Sequence, residues 1–170
     1  MGAVHSGLYV IMGVSGSGKS TIGARLAREL GIDFVEGDDL HPPDNVKRMA
    51  AGVPLTDADR RGWLLAIGTR LRDAKRAGRG LVVSCSALKR SYRDLLRSAG
   101  DDTVRFVYLA GSRPLLGERM AHRREHFMPP SLLENQLAIL EEPGPDERAW
   151  VCDIRETPEA IVADLVARSA

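Results

Sequence analysis

Short apolar runs alternate with stretches of helical periodicity along the whole chain. The continuous apolar run Leu8–Met12 has the length of a buried strand, and 21–30 follows with Ile22, Leu26 and Leu30 on one helical face. Phe34 and Val35 form a second short run, which ends in Glu36-Gly37-Asp38-Asp39-Leu40-His41-Pro42-Pro43. Helical segments are predicted at 44–51 and 57–77. Gly52 and Pro54 stop the first, and Leu64, Ile67 and Leu71 share a face of the second. Thr56 and Asp59 have the spacing of a capping pair for that second helix. A third strand spans 80–85, a helix 89–99, a fourth strand 104–109 and a helix 113–125. Pro129-Pro130 breaks the chain; 131–140 is helical again, and Pro143-Gly144-Pro145 marks a turn. A fifth strand at 150–154 and a helix at 157–167 close the pattern.

Strands alternating with helices imply an α/β fold, here three α/β/α layers around a five-stranded parallel sheet covered on both faces. In such sheets ligands gather beyond the carboxyl ends of the strands. The chemistry-bearing stretches do follow strands: 13–20 after the first, Asp38 to His41 after the second, 84–89 after the third, and the arginine-rich 113–124 after the fourth. All four can converge on one cleft.

The first of these is the most informative. Gly13-Val14-Ser15-Gly16-Ser17-Gly18-Lys19-Ser20 fits G-x-x-x-x-G-K-[ST], the phosphate-binding loop, between an apolar strand and a helix. Glycines let backbone N–H groups close around phosphate oxygens, and the helix N-terminus adds partial positive charge. Lys19 is expected to reach the β- and γ-phosphates, Ser20 to ligate Mg²⁺, and Thr21 to continue the site into the helix. Read blandly, a Gly/Ser-rich loop only turns a strand into a helix, but these flanks argue for nucleoside triphosphate binding.

Composition narrows the classes. At 170 residues one domain is expected, 1–170, with 1–7 as a frayed tail. With 24 Lys and Arg against 23 Asp and Glu, nothing marks a nucleic-acid or membrane partner. No apolar run approaches the roughly 20 residues that span a bilayer, and the N-terminus resembles neither a secretory nor a mitochondrial leader. Cys85 and Cys152 end strand-like runs and read as buried, reduced thiols. The expectation is a soluble, cytoplasmic protein.

A GTPase switch needs D-x-x-G after an apolar strand and an N-K-x-D motif. Asp59-Arg60-Arg61-Gly62 sits at the start of a helix instead, and N-K-x-D is absent. A helicase or transporter ATPase wants an apolar strand ending in an acid, but Leu81–Val83 ends in Ser84-Cys85, which puts the support of Mg²⁺ on Asp38. A small-molecule kinase fits better, with an acid to orient or deprotonate the acceptor hydroxyl, basic groups for an anionic acceptor, and an arginine-bearing lid. Asp38 or Asp39 is the candidate acid, and His41 a hydrogen-bonder to the acceptor. Arg119 and Arg123 lie at i and i+4 on one helical face and read as lid arginines. His122 and His126 also share a face, but without the H-E-x-x-H order or an evident third ligand they do not make a metal site.

Several blocks together are specific. Gly37-Asp38-Asp39-Leu40-His41-Pro42, Asn45, Met49, Pro54-Leu55-Thr56-Asp57, Asp59-Arg60 and Trp63-Leu64 form the first. Cys85-Ser86-Ala87-Leu88-Lys89-Arg90-Ser91-Tyr92-Arg93 is the second, and Arg119, Arg123, His126-Phe127-Met128, Gln136 and Leu140-Glu141 the third. In these blocks the chain resembles the phosphate-loop gluconokinases, from about Tyr9 to Pro143. The resemblance implies a nucleoside-kinase-like fold, ATP with Mg²⁺, and transfer of the γ-phosphoryl group to the 6-hydroxyl of D-gluconate. It further implies Asp38 as base or hydroxyl orienter, and His41, Arg60, Lys89, Arg93 and His126 around the sugar acid. Arg119 and Arg123 would serve the lid and phosphates. Ser86 and Asp57 are of the kind that satisfies sugar hydroxyls, and Arg48, also a candidate substrate contact, stands where the family carries Lys. The substrate-binding segment is then 38–77 and the lid 113–130, and a homodimer is compatible. Gly62 and Asn135 also depart from the family pattern, where Pro and Ser are usual. The alternatives are a shikimate-kinase-like or nucleoside monophosphate kinase, and a nucleotide sensor that transfers nothing.

Overall fold

The computed structural model describes residues 5–122 and 130–170. Five strands, β1 (Leu8–Met12), β2 (Asp33–Glu36), β3 (Leu81–Ser84), β4 (Arg105–Ala110) and β5 (Trp150–Asp153), form one sheet in the order β2-β3-β1-β4-β5. Every pairing is parallel. Among the described residues seven α-helices flank them: α1 (Lys19–Leu30), α2 (Pro43–Ala50), α3 (Asp57–Arg76), α4 (Arg90–Ala99), α5 (Arg113–Ala121), α6 (Pro130–Ile139) and α7 (Pro158–Ser169). The three-layer α/β/α expectation holds, and each predicted helix is found within a few residues of its expected bounds, α5 as far as the described residues run. A 3-10 turn at Gly37–Leu40 was not foreseen.

The two faces of the central strand explain the layering. Tyr9 and Ile11 point into one core with Ile22 and Leu26 of α1 and Ile161 and Leu165 of α7. Leu8, Val10 and Met12 point into the other with Trp63, Leu64, Ile67 and Leu71 of α3 and Tyr92 and Leu96 of α4. Successive strand residues face opposite sides, so a strand apolar at every position must be covered twice. Removing a large side chain from either core, such as Leu71 or Leu26, typically costs about 2–5 kcal/mol.

Local signals set the helix ends. Thr56 accepts from the Asp59 N–H and Asp59 from the Thr56 N–H, the reciprocal cap expected for α3. Gly31, at φ 69°, ends α1 in the left-handed region. Gly62 lies inside α3, where an added Cβ would meet nothing within 4 Å. Cys85 and Cys152 are both free and buried, and burial pushes the Cys85 thiol up to about 12. No helix among the described residues is long and apolar enough to cross a membrane.

Candidate active site

The site begins where β1 ends. Gly16 and Gly18 hold φ of 85° and 96°, a region costly for residues with a Cβ, and this curls the chain from β1 into α1. Lys19 Nζ donates to the Val14 carbonyl at 3.1 Å, tying the lysine back to its own loop. The Gly13 N–H donates to the Ser86 carbonyl at 3.3 Å, joining this loop to the one after β3. From α6, Gln136 Oε1 accepts the Ser15 N–H at 2.7 Å. On the other side, Gly16, Ser17, Gly18, Thr21 and Arg119 line a cavity of about 260 Å³ with Ile154, Glu156 and Pro158. Arg119 is fixed there by donation to the Ile154 carbonyl at 2.6 Å.

The acid that β3 lacks is supplied by its neighbour. In the β2–β3 register Glu36 stands opposite Ser84. Ser84 Oγ donates to Glu36 Oε1 and Ser20 Oγ to Glu36 Oε2, each at 2.5 Å. A carboxylate thus sits beside the Ser20 hydroxyl, at the level of the end of β3. In the sequence Glu36 reads only as the first polar residue of a turn. Its place at the end of a strand, two residues before Asp38, was the available signal. Among the described residues no three His, Cys, Asp or Glu side chains cluster as a metal cage. Hydroxyl and carboxylate oxygens are what Mg²⁺ prefers, and Mg²⁺ is usually held by one or two protein groups plus nucleotide phosphates. The donor set fits.

The 3-10 turn aims the next acid. A Cβ on Gly37 would lie 2.0 Å from the Ser84 carbonyl oxygen, so only glycine lets the turn pack against β3. Trp63 Nε1 donates to the Gly37 carbonyl at 2.7 Å and anchors the turn to α3. Asp38 is left exposed toward the cleft, with His41 Nε2 3.9 Å from its Oδ1. The His41 ring stacks on Trp63 at a centroid distance of 4.0 Å. Burial, with the Arg60 charge second, lowers the His41 pKa to about 4, so the ring is neutral at pH 7.

The opposite wall is a hydrogen-bonded basic group. Lys89 Nζ donates to Asp57 Oδ1 at 3.0 Å, Tyr92 OH donates to the same oxygen at 2.5 Å, and Arg60 Nη1 donates to Tyr92 OH at 2.7 Å. The Tyr92 and Lys89 hydrogen bonds hold Asp57 below the usual carboxylate range, and Asp57 in turn raises Lys89. Ser15, Lys19, Asp38, His41, Asp57, Arg60, Ser86 and Lys89 all line one cavity of about 940 Å³, closed on another side by α2 and α6 through Val46, Met49, Leu132 and Ile139.

Two arginines expected at the acceptor are elsewhere. Arg93 is 0% exposed. Its Nε donates to Glu147 Oε1 at 2.7 Å and its Nη1 to the Ala87 carbonyl at 2.8 Å. Every one of its donors is turned into the protein, so it corrects from a substrate contact to a structural one. Arg48 does not line the cavity; it is half-exposed on α2 and pairs with Asp59 of α3. Asn135, one of the departures from the family pattern, lines the cavity. Arg123 and His126, and with them much of the expected lid, lie outside the described residues.

A family model described as an AAA domain matches residues 8–143. A gluconokinase of Gluconobacter oxydans is 49% identical, covering 92% of this chain and 88% of its own. The thermoresistant gluconokinase of Escherichia coli K12 is 41% identical, covering 94% of this chain and 91% of its own. A crystal structure of a gluconokinase from Sinorhizobium meliloti superposes with a TM-score of 0.88 at 48% identity, covering 98% and 93% of the two chains.

Proposed function

The chain belongs to the gluconokinase family, and from that premise we propose that it transfers the γ-phosphoryl group of ATP to the 6-hydroxyl of D-gluconate, giving 6-phospho-D-gluconate and ADP. The observation that carries this reading is the single cavity that holds Lys19 and Asp38 on one side and the Lys89–Asp57–Tyr92–Arg60 group on the other. A polyhydroxylated carboxylate needs both kinds of wall. Lys89 and the guanidinium of Arg60 suit its carboxylate, and His41, Ser86 and Asp57 suit its hydroxyls. Unpaired polar groups left behind by shikimate or a nucleoside monophosphate would penalise those acceptors.

In the transfer, Asp38 orients the acceptor hydroxyl and takes its proton. The hydroxyl oxygen bonds to the γ-phosphorus, and the bond from that phosphorus to the bridging oxygen breaks with its electron pair leaving on ADP. Lys19 and the N–H groups of the 13–18 loop meet the charge on the phosphoryl oxygens. When bound with the nucleotide, Mg²⁺ would supply further charge neutralisation on the phosphates. Ser20, Glu36 and Asp38 are the groups that would hold it, Glu36 through its contact with Ser20. The cavity lined by Arg119, Ile154 and Pro158 is suited to the base and ribose of the nucleotide, and Arg123 and His126 belong to the lid and acceptor in this reading. The protein acts as a cytoplasmic enzyme on a small molecule, with neither nucleic acid nor membrane as partner.

ADP release from Mg-ATP, measured with gluconate, shikimate, AMP and no acceptor, tests the proposal. Gluconate-dependent release alone is expected. Release with shikimate or AMP in its place would overturn the substrate, and tight nucleotide binding with no acceptor-dependent release would favour a sensor.

A further inference from the structure

Asn45 is buried on α2, at 4% exposure, between the acceptor site and the first turn of α3. Its Nδ2 donates to the Asp59 carbonyl at 2.8 Å and lies 3.3 Å from His41 Nδ1. The first contact fixes the amide, because the reverse orientation would set Asn45 Oδ1 against a carbonyl oxygen. With the amide fixed, an N–H group points at His41 Nδ1, and that nitrogen must accept. A neutral imidazole has one proton, so it sits on Nε2, the nitrogen that faces Asp38. Trp63 covers the flat of the ring, and the charged groups that face it are Asp38 and Arg60.

We propose that Asn45 is a positioning residue that holds His41 as its Nε2–H tautomer, so that His41 donates to the acceptor hydroxyl and leaves Asp38, not His41, to take its proton. The 3.9 Å between Nε2 and Asp38 Oδ1 is too long for a direct hydrogen bond and leaves the donor for a hydroxyl placed between them. With the opposite tautomer, Nε2 and the carboxylate would both be acceptors competing for one hydroxyl proton. The direction of the chain from Asn45 through His41 and the hydroxyl to Asp38 is set by the amide at its far end. This rests on the reading of Asp38 and His41 as the acceptor site, while the tautomer rests on the Asn45 contacts alone.

Nitrogen-15 NMR of His41 in the wild-type protein near neutral pH separates the two forms without any substitution. A pyridine-like Nδ1 and a pyrrole-like Nε2 are expected; the reverse pattern, or an even mixture, would overturn the proposal. In Asn45→Ala the two tautomers should mix, and kcat with gluconate should fall by about tenfold, the rate equivalent of one lost hydrogen bond. KM for ATP should stay in place, which a general loosening of the fold would not allow. An Asn45→Ala protein with the wild-type tautomer and kcat would equally sink the idea. A wild type inert toward gluconate but showing the expected spectrum would count against the substrate and not against the tautomer.

Discussion

Lys89 and Arg93 stand one helical turn apart, at the start of α4, and belong to two different machines. Lys89 keeps 30% of its side chain exposed and bonds to Asp57 at the edge of the large cavity. Arg93 and Glu147 are 0% and 1% exposed, and Arg97 adds a second guanidinium to the same carboxylate at 3.0 Å. An exposed pair can exchange its partner for a ligand at little cost, since its groups remain hydrated. A fully buried pair cannot, because separating it leaves a charge with neither water nor counterion. In the proposed reading, the difference in depth divides residues that read a substrate from residues that build the wall it rests on.

The buried pair still serves the site indirectly. Ala87 occupies the left-handed region at φ 45°, a strained position for a residue with a Cβ, and Arg93 holds the carbonyls of Ala87 and Leu88. Glu147 also accepts the Gly144 N–H, while the Glu141 N–H bonds to the Leu88 carbonyl. The segment after α6 is thereby stitched to the loop that presents Ser86 and Lys89.

The largest effect should come from breaking the buried pair on one side. Arg93→Leu leaves Glu147 buried beside Arg97 alone and should cost about 3–5 kcal/mol, read from chemical denaturation. Arg93→Leu with Glu147→Leu should recover a good part of that loss. A single variant as stable as the wild type would remove the distinction between the two pairs.

Lys89→Met comes next and moves a different quantity. KM for gluconate should rise by about tenfold or more, as for loss of a charged hydrogen bond, with the melting temperature unmoved. A stability loss like that of Arg93→Leu, with KM unchanged, would place Lys89 in the scaffold.

This division was only half legible in the chain. The phosphate loop could be read because its chemistry is local: the glycines, Lys19 and Ser20 occupy one turn, and backbone geometry dictates their spacing. Asp38 and His41 could be singled out for the same reason, since both lie in the one short turn that follows β2. Cys85 to Arg93, by contrast, reads as one basic block, because what separates Lys89 from Arg93 is Glu147, 54 residues beyond Arg93 in a proline-rich turn. Glu36 was hidden similarly. Its partners Ser20 and Ser84 lie 16 residues before it and 48 residues after it, and only the sheet register brings them together. Asn45 and Gln136 also act across elements. Long-range pairing decides burial, and burial decides which charges are free to work.

Acid should separate the two regions along one axis. His41 has a pKa of about 4 in the fold against 6.5 in the open chain, because burial and Arg60 disfavour its charged form. The unfolded state then binds more protons below pH 6.5, so stability falls as pH drops from about 6.5 to 4 and levels off from this source. Glu147 sits at about 2 against 4.5; burial would raise it, but hydrogen bonds from Arg93, Gly144 and Arg97 outweigh that. Its contribution is present above pH 4.5 and is lost as pH falls toward 2. Denaturation midpoints across pH should show both windows, and His41→Gln should flatten the upper one and leave the lower one intact.

The smallest effect tests the exposed pair from its acidic side. Asp57 lies at the cavity edge with its carboxylate on Lys89 and Tyr92, and its pKa is held down by those contacts, not by burial. Asp57→Asn keeps the shape and an acceptor oxygen for Tyr92, and removes the charge that raises Lys89. KM for gluconate should rise by less than in Lys89→Met, because the cation proposed to meet the substrate carboxylate is still present. The denaturation midpoint should not change, since a hydrated ion pair adds little to folding. If Asp57→Asn instead lowered the midpoint as far as Arg93→Leu, exposure would have failed as the criterion that separates substrate-reading charges from structural ones.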